Sequence, residues 1–537
     1  MKKYFNIVAC LFVALAFGGC NGMDNEPTDK YTDSKFWTSV DKAQYVLNMA
    51  YNQLYSAGTM WNDERLSDNV FQGRGFSDQR SMRNGVADPS TGIFKSEWGN
   101  LYAGIKTCHV FLENIDAVDG DATVKDNMKA QIRFIRAALY FRLTNLYGDV
   151  PFFTQSLTKT EARTIGRTAR AQVISFVHSE LDAIMDNLPT SDQLAADRRG
   201  EITKGAALTL QARVYLYDGD WPNVEKYCKR VMDGEGGSYD LFNSYSGLFT
   251  QDNEYNCEVI MDCGYIPSKR TWGEMYDMIP LSMGGRVIST APTQSLVDNY
   301  ICLDGKPIST STMYNPALPY QNRDPRMTAT VIYDRYDWSA NVGDGSTGVV
   351  IYTNPTSGTA DAYQGTAANA SCTGYYMRKY YDVKHEAGMA SGLNIITMRY
   401  ADVLLMYAES MNEQNKMSEE VWNKTVRPIR VRAGFTLAGA LDYPSAQDQT
   451  AMRTTLRNER RSEFAMEGLR WFDIKRWKAG SEYLNGYVYG AAFGANNANI
   501  RLDNYKFDEK RDYLWSIPQK EMDINPNLKP NNPGWSN

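Results

Sequence analysis

The segment Leu456–Lys478 holds the densest set of residues that could perform acid–base chemistry. Glu459, Glu463 and Glu467 are four residues apart, so one continuous helix would place them on one face, interleaved with arginines. Glycoside hydrolases need only two carboxyl groups, but the general acid must have a raised pKa. Neighbouring arginines favour the ionised carboxylate instead. We therefore interpret the cluster as a structural ion network and keep a surface glycoside hydrolase as the weaker alternative.

Histidines form no recognisable metal-binding or catalytic pattern. His109, His178 and His385 lie far apart, and the sequence contains no HExxH, GxSxG or P-loop motif. A catalytic arrangement built from distant residues stays open, although no spacing points to one. We expect no metal, no cofactor and no catalysis.

Six cysteines follow Cys20, and an exported protein could oxidise some of them. They are Cys108, Cys228, Cys257, Cys263, Cys302 and Cys372. Cys257 and Cys263 are the closest pair, and they do not form a CxxC motif. A chain of 537 residues does not need a disulfide framework to be stable. We interpret most of the six as buried thiols.

Charge and aromatic content narrow the class of partner. The net charge is −6 and no basic block occurs, which argues against a nucleic-acid partner. The chain has 35 Tyr, 20 Phe and 11 Trp residues. Tyr and Trp combine a flat apolar face with a polar tip, which suits wet binding surfaces, although helical cores use them as well.

The N-terminal residues are typical of a bacterial lipoprotein signal. Lys2 and Lys3 precede an apolar run, Tyr4–Phe17, that is too short to span a bilayer. Small residues then lead directly to Cys20, whose thiol we expect to carry the lipid. Residues 1–19 would be the signal peptide and residues 20–38 a polar, flexible tether. The alternative is an ordinary signal peptide cleaved elsewhere.

Helical periodicity dominates both ends of the remaining chain. We predict helices over residues 43–55, 98–115, 128–146 and 171–188. Residues 203–233 indicate two helices separated by Asp218-Gly219-Asp220, which is the plan of a tetratricopeptide (TPR) repeat, and residues 397–413 and 419–433 indicate another pair. Residues 39–233 and 397–537 are therefore predicted to form a TPR-like helical-repeat scaffold.

The middle of the chain has a different composition. Residues 234–396 are rich in Gly, Ser, Thr, Asn and Pro, and residues 339–373 form a long insertion of low hydrophobicity. A second zone, residues 486–500, is predicted to be irregular. The fold class is thus mainly α, with a large loop-rich insertion in which we expect the ligand-binding residues.

Several motifs in register resemble the SusD/RagB family of Bacteroidetes surface lipoproteins, over nearly the whole chain. They are ALYFRLTNLYGDVPFF (Ala138–Phe153), TKGAALTLQARVYLY (Thr203–Tyr217), PTQSLVDNYICLDGK (Pro292–Lys306), ITMRYADVLLMYAES (Ile396–Ser410), ERRSEFAMEGLRWFDIKRW (Glu459–Trp477) and YLWSIPQKEMDINPNL (Tyr513–Leu528). The resemblance implies a TPR-based fold in which the arginine-rich C-terminal helix is a structural signature.

The same resemblance implies a function without catalysis. Members of this family bind oligosaccharides or polysaccharides at the cell surface, are anchored in the outer membrane by lipid, and cover a SusC-like TonB-dependent transporter as a lid. The RagB branch implies peptide uptake on the same scaffold. A peptide ligand is therefore the main alternative to a glycan.

The resemblance also implies where the ligand binds, namely at loops that supply aromatic and polar side chains. The loop after Ser67-Asp68-Asn69 gives Asp68, Phe71 and Phe76 as candidates, the loop before Pro292 gives Trp272, Tyr276 and Arg286, and Arg378 would add a polar contact. Related proteins often carry an aromatic residue just before the Pro-Thr-Gln segment, where this chain has Gly284-Gly285-Arg286-Val287. For each candidate, packing in the core or a solvated loop is the alternative role.

Overall fold

Helices form most of the regular structure, which confirms the mainly α prediction. The computed structural model describes residues 36–73, 77–493 and 498–537. The predicted signal peptide, Cys20 and most of the predicted tether lie outside these residues. At the start of the described chain, the Trp37 ring already packs edge-on against Phe111, with centroids 5.9 Å apart.

The α-helices of the described residues fall into a long N-terminal series, a sparse middle and a C-terminal series. In chain order they are α1 (Val40–Leu54), α2 (Ala57–Glu64), α3 (Asp78–Arg83), α4 (Gly92–Asn114), α5 (Ala122–Tyr147), α6 (Lys159–Ala162), α7 (Arg170–Ile184), α8 (Lys204–Asp218), α9 (Trp221–Met232), α10 (Gln294–Asn299), α11 (Pro325–Thr330), α12 (Trp338–Val342), α13 (Tyr400–Glu413), α14 (Glu419–Lys424), α15 (Val426–Ala433), α16 (Ala438–Leu441), α17 (Gln449–Phe464), α18 (Arg470–Arg476), α19 (Gly480–Tyr483) and α20 (Gln519–Ile524).

The strands of the described residues are short and pair two by two. They are β1 (Val70–Gln72), β2 (Val259–Cys263), β3 (Thr290–Pro292), β4 (Val331–Ile332), β5 (Tyr336–Asp337), β6 (Val350–Ile351), β7 (Tyr376–Met377), β8 (Ile395–Arg399), β9 (Gly486–Ala492) and β10 (Asn499–Tyr505). The pairs are β1–β3, β2–β8, β4–β7, β5–β6 and β9–β10, all antiparallel.

Local sequence signals explain the ends of the helices that build the scaffold. The Asp121 side chain accepts hydrogen bonds from the backbone N–H groups of Thr123 and Val124 and so caps the first turn of α5. That helix ends at Gly148, which has a φ of 71°. Helices α4, α5 and α7 pack against one another in sequence order. The four helices predicted in this region are confirmed.

The predicted helix pair over residues 203–233 is also confirmed. Gly219, at the end of α8, adopts a left-handed conformation with a φ of 70°, and the Asp220 side chain then caps α9. Helix α9 packs against both α8 and α13, and α13 packs against α17. The N-terminal and C-terminal helices therefore belong to one scaffold.

Two predicted elements differ from the structure. Helix α17 ends at Phe464, and Met466 follows with a φ of 66°, so Glu467 lies beyond the helix that carries Glu459 and Glu463. The zone over residues 486–500 is not irregular, because strands β9 and β10 pair as a hairpin. Alternating residues in Tyr487-Val488-Tyr489 were the signal for that strand.

The cysteines after Cys20 are all free thiols. Cys257 is exposed, and the other five are buried. Burial raises the pKa of the Cys108 thiol to about 12, and that of Cys372 to about 12 as well. These thiols are protonated at neutral pH and pack as small apolar groups, as the sequence indicated.

Candidate ligand-binding surface

The pairing of β1 with β3 brings two of the predicted binding loops side by side, and we call this region the β1–β3 edge. Phe71 lies opposite Ala291, and the backbone N–H of Gly73 donates to the Ser289 carbonyl at 2.9 Å. Because the two strands are antiparallel, the chain that leaves β1 lies beside the chain that enters β3. Phe76, on the first loop, lies outside the described residues.

Tyr276 and Arg286 form the accessible part of this edge. The backbone N–H of Arg286 donates to the Tyr276 carbonyl at 2.9 Å, and the guanidinium lies 4.7 Å from the centre of the Tyr276 ring. One guanidinium nitrogen is 3.1 Å from an Asp277 carboxylate oxygen. The Arg286 side chain is 60% exposed, so it keeps hydrogen-bond donors free for solvent or a ligand.

Two glycines fix where Arg286 emerges. Gly284 has a φ of 98°, and a Cβ added at Gly285 would come within 2.2 Å of the Ile279 carbonyl oxygen. A side chain at either position is therefore unfavourable. The tight turn at these glycines leads directly to the exposed Arg286.

A pair of aromatic residues, Tyr363 and Phe493, lies near the segment that carries Arg286, to which backbone hydrogen bonds connect the chain around Tyr363. The rings of Tyr363 and Phe493 are partly exposed, and their centroids are 6.2 Å apart. The backbone N–H of Ser282 donates to Asp361, two residues before Tyr363, at 3.1 Å. The N–H of Ile288, two residues after Arg286, donates to the Asn369 carbonyl at 2.9 Å. Residues of the long insertion thus border the Tyr276–Arg286 edge.

Four other predicted binding residues are buried, beginning with Asp68 and Phe71. Asp68 is ion-paired with Arg461 at 2.9 Å and with Arg470 at 2.8 Å. Although burial alone would raise its pKa, these two arginines hold the pKa of Asp68 below its usual range. Phe71 is buried in the β1–β3 sheet. In this structure both residues support the edge from inside, not at its surface.

Trp272 and Arg378 are also core residues here. Trp272 is 5% exposed, and its indole N–H donates to the Leu393 carbonyl at 2.8 Å. Arg378 is buried with its guanidinium near the carbonyls of Asn341 and Val342, and burial lowers its pKa. A ligand would have to open the core to reach either side chain. Of the seven candidates, the structure leaves Tyr276 and Arg286 at the surface.

The β9–β10 hairpin forms another surface that carries aromatic side chains. Tyr487 and Tyr489 are both exposed on one face of β9, and the Arg501 guanidinium lies 4.4 Å from the Tyr487 ring centre. They border a groove of about 310 Å³ that also contains Asp298 and Gln294. Burial raises the pKa of Asp298, which accepts a hydrogen bond from Gln294 at 2.8 Å. The buried Asp68, a predicted binding residue, also borders this groove, but the sequence analysis missed the tyrosines because it treated the hairpin as irregular.

The carboxylates considered for catalysis form a buried ion network. Glu463 accepts from Arg399 at 2.6 Å and from Arg326 at 2.9 Å, and Glu467 accepts from Arg399 and Lys379. Burial alone would raise the pKa of Glu463 and of Glu467, but the surrounding cations hold the pKa of Glu463 well below its usual range and lower that of Glu467. Both acids are ionised and buried, so neither is suited to donate a proton to a substrate.

Metal-ligating side chains do not cluster, and no helix is suited to cross a membrane, within the described ranges. No group of three or more His, Cys, Asp or Glu residues is placed to hold a metal ion there. The helices of those same ranges are too short or too polar to span a bilayer.

Comparison with known sequences shows agreement along almost the whole chain. The model of the SusD family matches residues 257–535, and a model described as "Starch-binding associating with outer membrane" matches residues 24–216. SusD-like protein P2 of Formosa agariphila is 26% identical over 100% of both chains. The starch-binding protein SusD of Bacteroides thetaiotaomicron is 28% identical over 30% of this chain and 29% of its own length.

Comparison with solved structures gives the same result for the fold. The crystal structure of a SusD-like carbohydrate-binding protein from Bacteroides fragilis superposes with a TM-score of 0.83 at 26% identity, and the match covers 92% of this chain and 100% of the other. The scaffold of TPR-like helices and the loop-rich middle therefore have a close structural counterpart.

Proposed function

Because this chain belongs to the SusD family, we propose that it is a binding protein that captures oligosaccharides or polysaccharides and performs no catalysis. Two similar proteins are named for such ligands, one as carbohydrate-binding and one as starch-binding. The observation in this chain that carries the proposal is the pair of half-buried Tyr276 and exposed Arg286 beside the β1–β3 edge.

The chemistry of this pair suits a sugar ring. The apolar C–H face of a pyranose packs on an aromatic ring, and a guanidinium offers several N–H donors to hydroxyl oxygens. Contact between Arg286 and the Tyr276 ring orders both side chains before a ligand arrives, which reduces the entropy lost on binding. Tyr363, whose segment is hydrogen-bonded to the segment that carries Arg286, and Phe493 beside it are the next aromatic candidates for contact with a longer chain of sugars.

Delivery to a membrane transporter completes the proposal. We infer a lipid anchor at Cys20, a location at the outer surface of the outer membrane, and a SusC-like TonB-dependent transporter as the partner that receives the glycan. The basic and apolar N-terminal sequence before Cys20 supports the anchor. The family model described as associating with the outer membrane supports the location.

A peptide ligand is the alternative that an experiment must separate. A peptide would require apolar pockets or an exposed strand edge for backbone pairing. The Tyr276–Arg286 surface instead offers one aromatic face and one cationic group, which favours a sugar.

Side-by-side binding to a glycan array and a peptide library tests the proposal directly. We expect saturable binding to one class of oligosaccharide, with the bound sugars recovered uncut on chromatography. Selective binding to peptides would replace the glycan with a peptide as ligand. Sustained cleavage that is lost when a carboxylate is substituted would overturn the proposed absence of catalysis.

A further inference from the structure

A large cavity lies apart from the Tyr276–Arg286 surface, at the C-terminal end of α5. Its volume is about 750 Å³. It is bordered by the last turn of α5, the segment that leads to α7, helix α18, and residues 530–533 near the end of the chain. No residue of the β1–β3 edge contributes to its wall.

The cavity is lined by an excess of positive charge on a protein that is acidic overall. The cationic side chains in its wall are Arg167, Arg170, Lys475, Arg476 and Lys478, and the acidic ones are Asp149 and Glu509. The whole chain has a net charge of −6. The excess is therefore local, and an electropositive wall of this kind attracts anions.

Two of these cations are neutralised by carboxylates. Arg476 is ion-paired with Glu409 at 2.6 Å and with Asp473 at 2.9 Å. Arg170 is ion-paired with Asp218 at 2.7 Å. Neither arginine needs a further anion.

The other three cations form no ion pair with a carboxylate among the residues that the structure describes, although Asp149 attracts Arg167 and Asp63 attracts Lys475 from farther away. Lys475 is 8% exposed and donates to the Asn145 carbonyl at 2.7 Å. Arg167 donates to the Asp149 and Pro530 carbonyls, at 2.8 and 2.7 Å, and to the side-chain oxygen of Asn532.

Lys478, the third of these cations, has its ammonium nitrogen 4.5 Å from the centre of the Tyr513 ring. A ring face attracts a cation, but it does not neutralise the charge. The buried Lys379 differs, because Glu467 lies 2.6 Å from its ammonium group.

Burial and the repulsion between neighbouring cations both lower the pKa values of Lys475 and Lys478 in the cavity wall. Burial first, and then the neighbouring cations Lys478, Arg170 and Arg142, lower the pKa of Lys475 to about 7 against the opposing effect of Asp63. Burial and Arg170 also lower the pKa of Lys478. An anion placed among these groups would relieve the repulsion and keep Lys475 protonated.

We propose that this cavity binds a tetrahedral oxyanion, namely a sulfate or phosphate group, held by Lys475, Lys478 and Arg167. Lysine binds such groups as a compact charge, and arginine binds them through paired N–H donors. The cavity is large enough for the group to be carried as an ester on a larger molecule such as a sulfated saccharide. This site is independent of the proposed glycan surface.

Titration with sodium sulfate against sodium chloride at matched ionic strength, followed by calorimetry, tests the site. We expect saturable sulfate binding that is weakened at least fivefold in Lys478→Gln and in Lys475→Gln. Because Lys478 is exposed and Lys475 is buried, Lys478→Gln should fold normally even if Lys475→Gln does not, and it then tests the site on its own. Lys229→Gln is the matched control, because it removes one lysine charge from an exposed position on α9 that is not part of the cavity wall. Lys229 is 63% exposed.

The outcomes separate this proposal from the glycan proposal. Absence of saturable binding, or equal binding by wild type and Lys478→Gln, would overturn the oxyanion site. Tyr276→Ala should leave sulfate binding unchanged, because Tyr276 is not in the cavity wall.

Competition by a sulfated but not an unsulfated oligosaccharide identifies an ester as the source of the anion. Inorganic sulfate that binds without such competition identifies the free ion.

Discussion

Arg399 donates a 2.6 Å hydrogen bond to Glu463, and both side chains are completely buried. The pair joins strand β8 to helix α17, and Arg326 binds the second carboxylate oxygen of Glu463 from α11. Arg432 of α15 binds the same side chain, so four separate segments of the chain meet at one carboxylate. The arginine-rich motif of the sequence is a structural centre of the scaffold.

Removal of this carboxylate should destabilise the protein strongly. Glu463→Ala removes one carboxylate partner from each of Arg326, Arg399 and Arg432. Each arginine keeps another carboxylate partner, but the buried network is left with one uncompensated positive charge, and breaking a buried ion pair in this way costs about 3–5 kcal/mol. We expect a large fall in the urea midpoint. The control is Glu420→Ala, which removes an exposed carboxylate paired with Lys424 and should leave the midpoint nearly unchanged. Equal midpoints for both variants would contradict the role assigned to Glu463.

Substitution of Tyr276 or Arg286 should affect ligand binding more than stability, because Tyr276 is only half-buried and Arg286 is exposed. Tyr276→Ala should weaken oligosaccharide binding by about 0.5–1.5 kcal/mol, the value of one aromatic contact, or roughly 2- to 12-fold in Kd. Arg286→Ala should weaken binding as well, with little dependence on salt if the glycan is neutral. Calorimetry with the glycan found on the array measures both.

A matched aromatic substitution elsewhere provides the control for that measurement. Tyr45 is 67% exposed on α1, so Tyr45→Ala removes a ring of the same kind without touching the β1–β3 edge. It should bind glycan as the wild type does. If Tyr276→Ala and Arg286→Ala also bind normally, the ligand binds elsewhere, and the groove bordered by Tyr487 and Tyr489 becomes the next surface to test.

Substitution of Trp272 should lower stability, whereas substitution of Tyr276 should mainly lower ligand affinity. Truncation of a buried aromatic side chain costs about 3–5 kcal/mol, and Trp272→Ala also leaves the Leu393 carbonyl without its donor. We expect a clear fall in Tm, with any loss of affinity secondary to that fall. A variant that keeps its Tm but loses glycan binding would return Trp272 to the binding surface.

The sequence predicted the scaffold better than the binding surface, for a physical reason. Helix α5 has caps and a periodic apolar face that are local properties of its residues. Whether Trp272 is buried depends on Ser391 and Leu393, more than a hundred residues away, which pair with its backbone and its indole N–H. No local pattern reports such a contact.

The end of α17 also could not be predicted from the local sequence. The spacing of Glu459, Glu463 and Glu467 fits one helical face, yet the chain turns at Met466, and Glu467 reaches Lys379 and Arg399 from the turn. The ion network was predictable from charge alone. Its geometry was not, because the partners come from distant segments.

The stability of the protein should depend on pH through Asp262. This carboxyl is buried on β2. Burial, with a smaller contribution from Glu254, raises its pKa to about 7 against the opposing hydrogen bond from Asn394 at 2.9 Å. The unfolded value is about 4. The folded state therefore binds the proton more tightly, and the free energy of unfolding should fall as pH rises from about 4 to about 7.

Asp262→Asn isolates this contribution because asparagine keeps the shape of the side chain and carries no charge. The variant should gain Tm relative to the wild type at pH 8, where Asp262 is ionised without a cationic partner, and the gain should shrink or vanish at pH 5. Thermal unfolding of both proteins at the two pH values measures the difference, and other titrating groups, such as Asp63 and Lys475, cancel in the comparison. A Tm difference that is the same at pH 5 and pH 8 would show that Asp262 titrates at its ordinary value and would contradict the assigned shift.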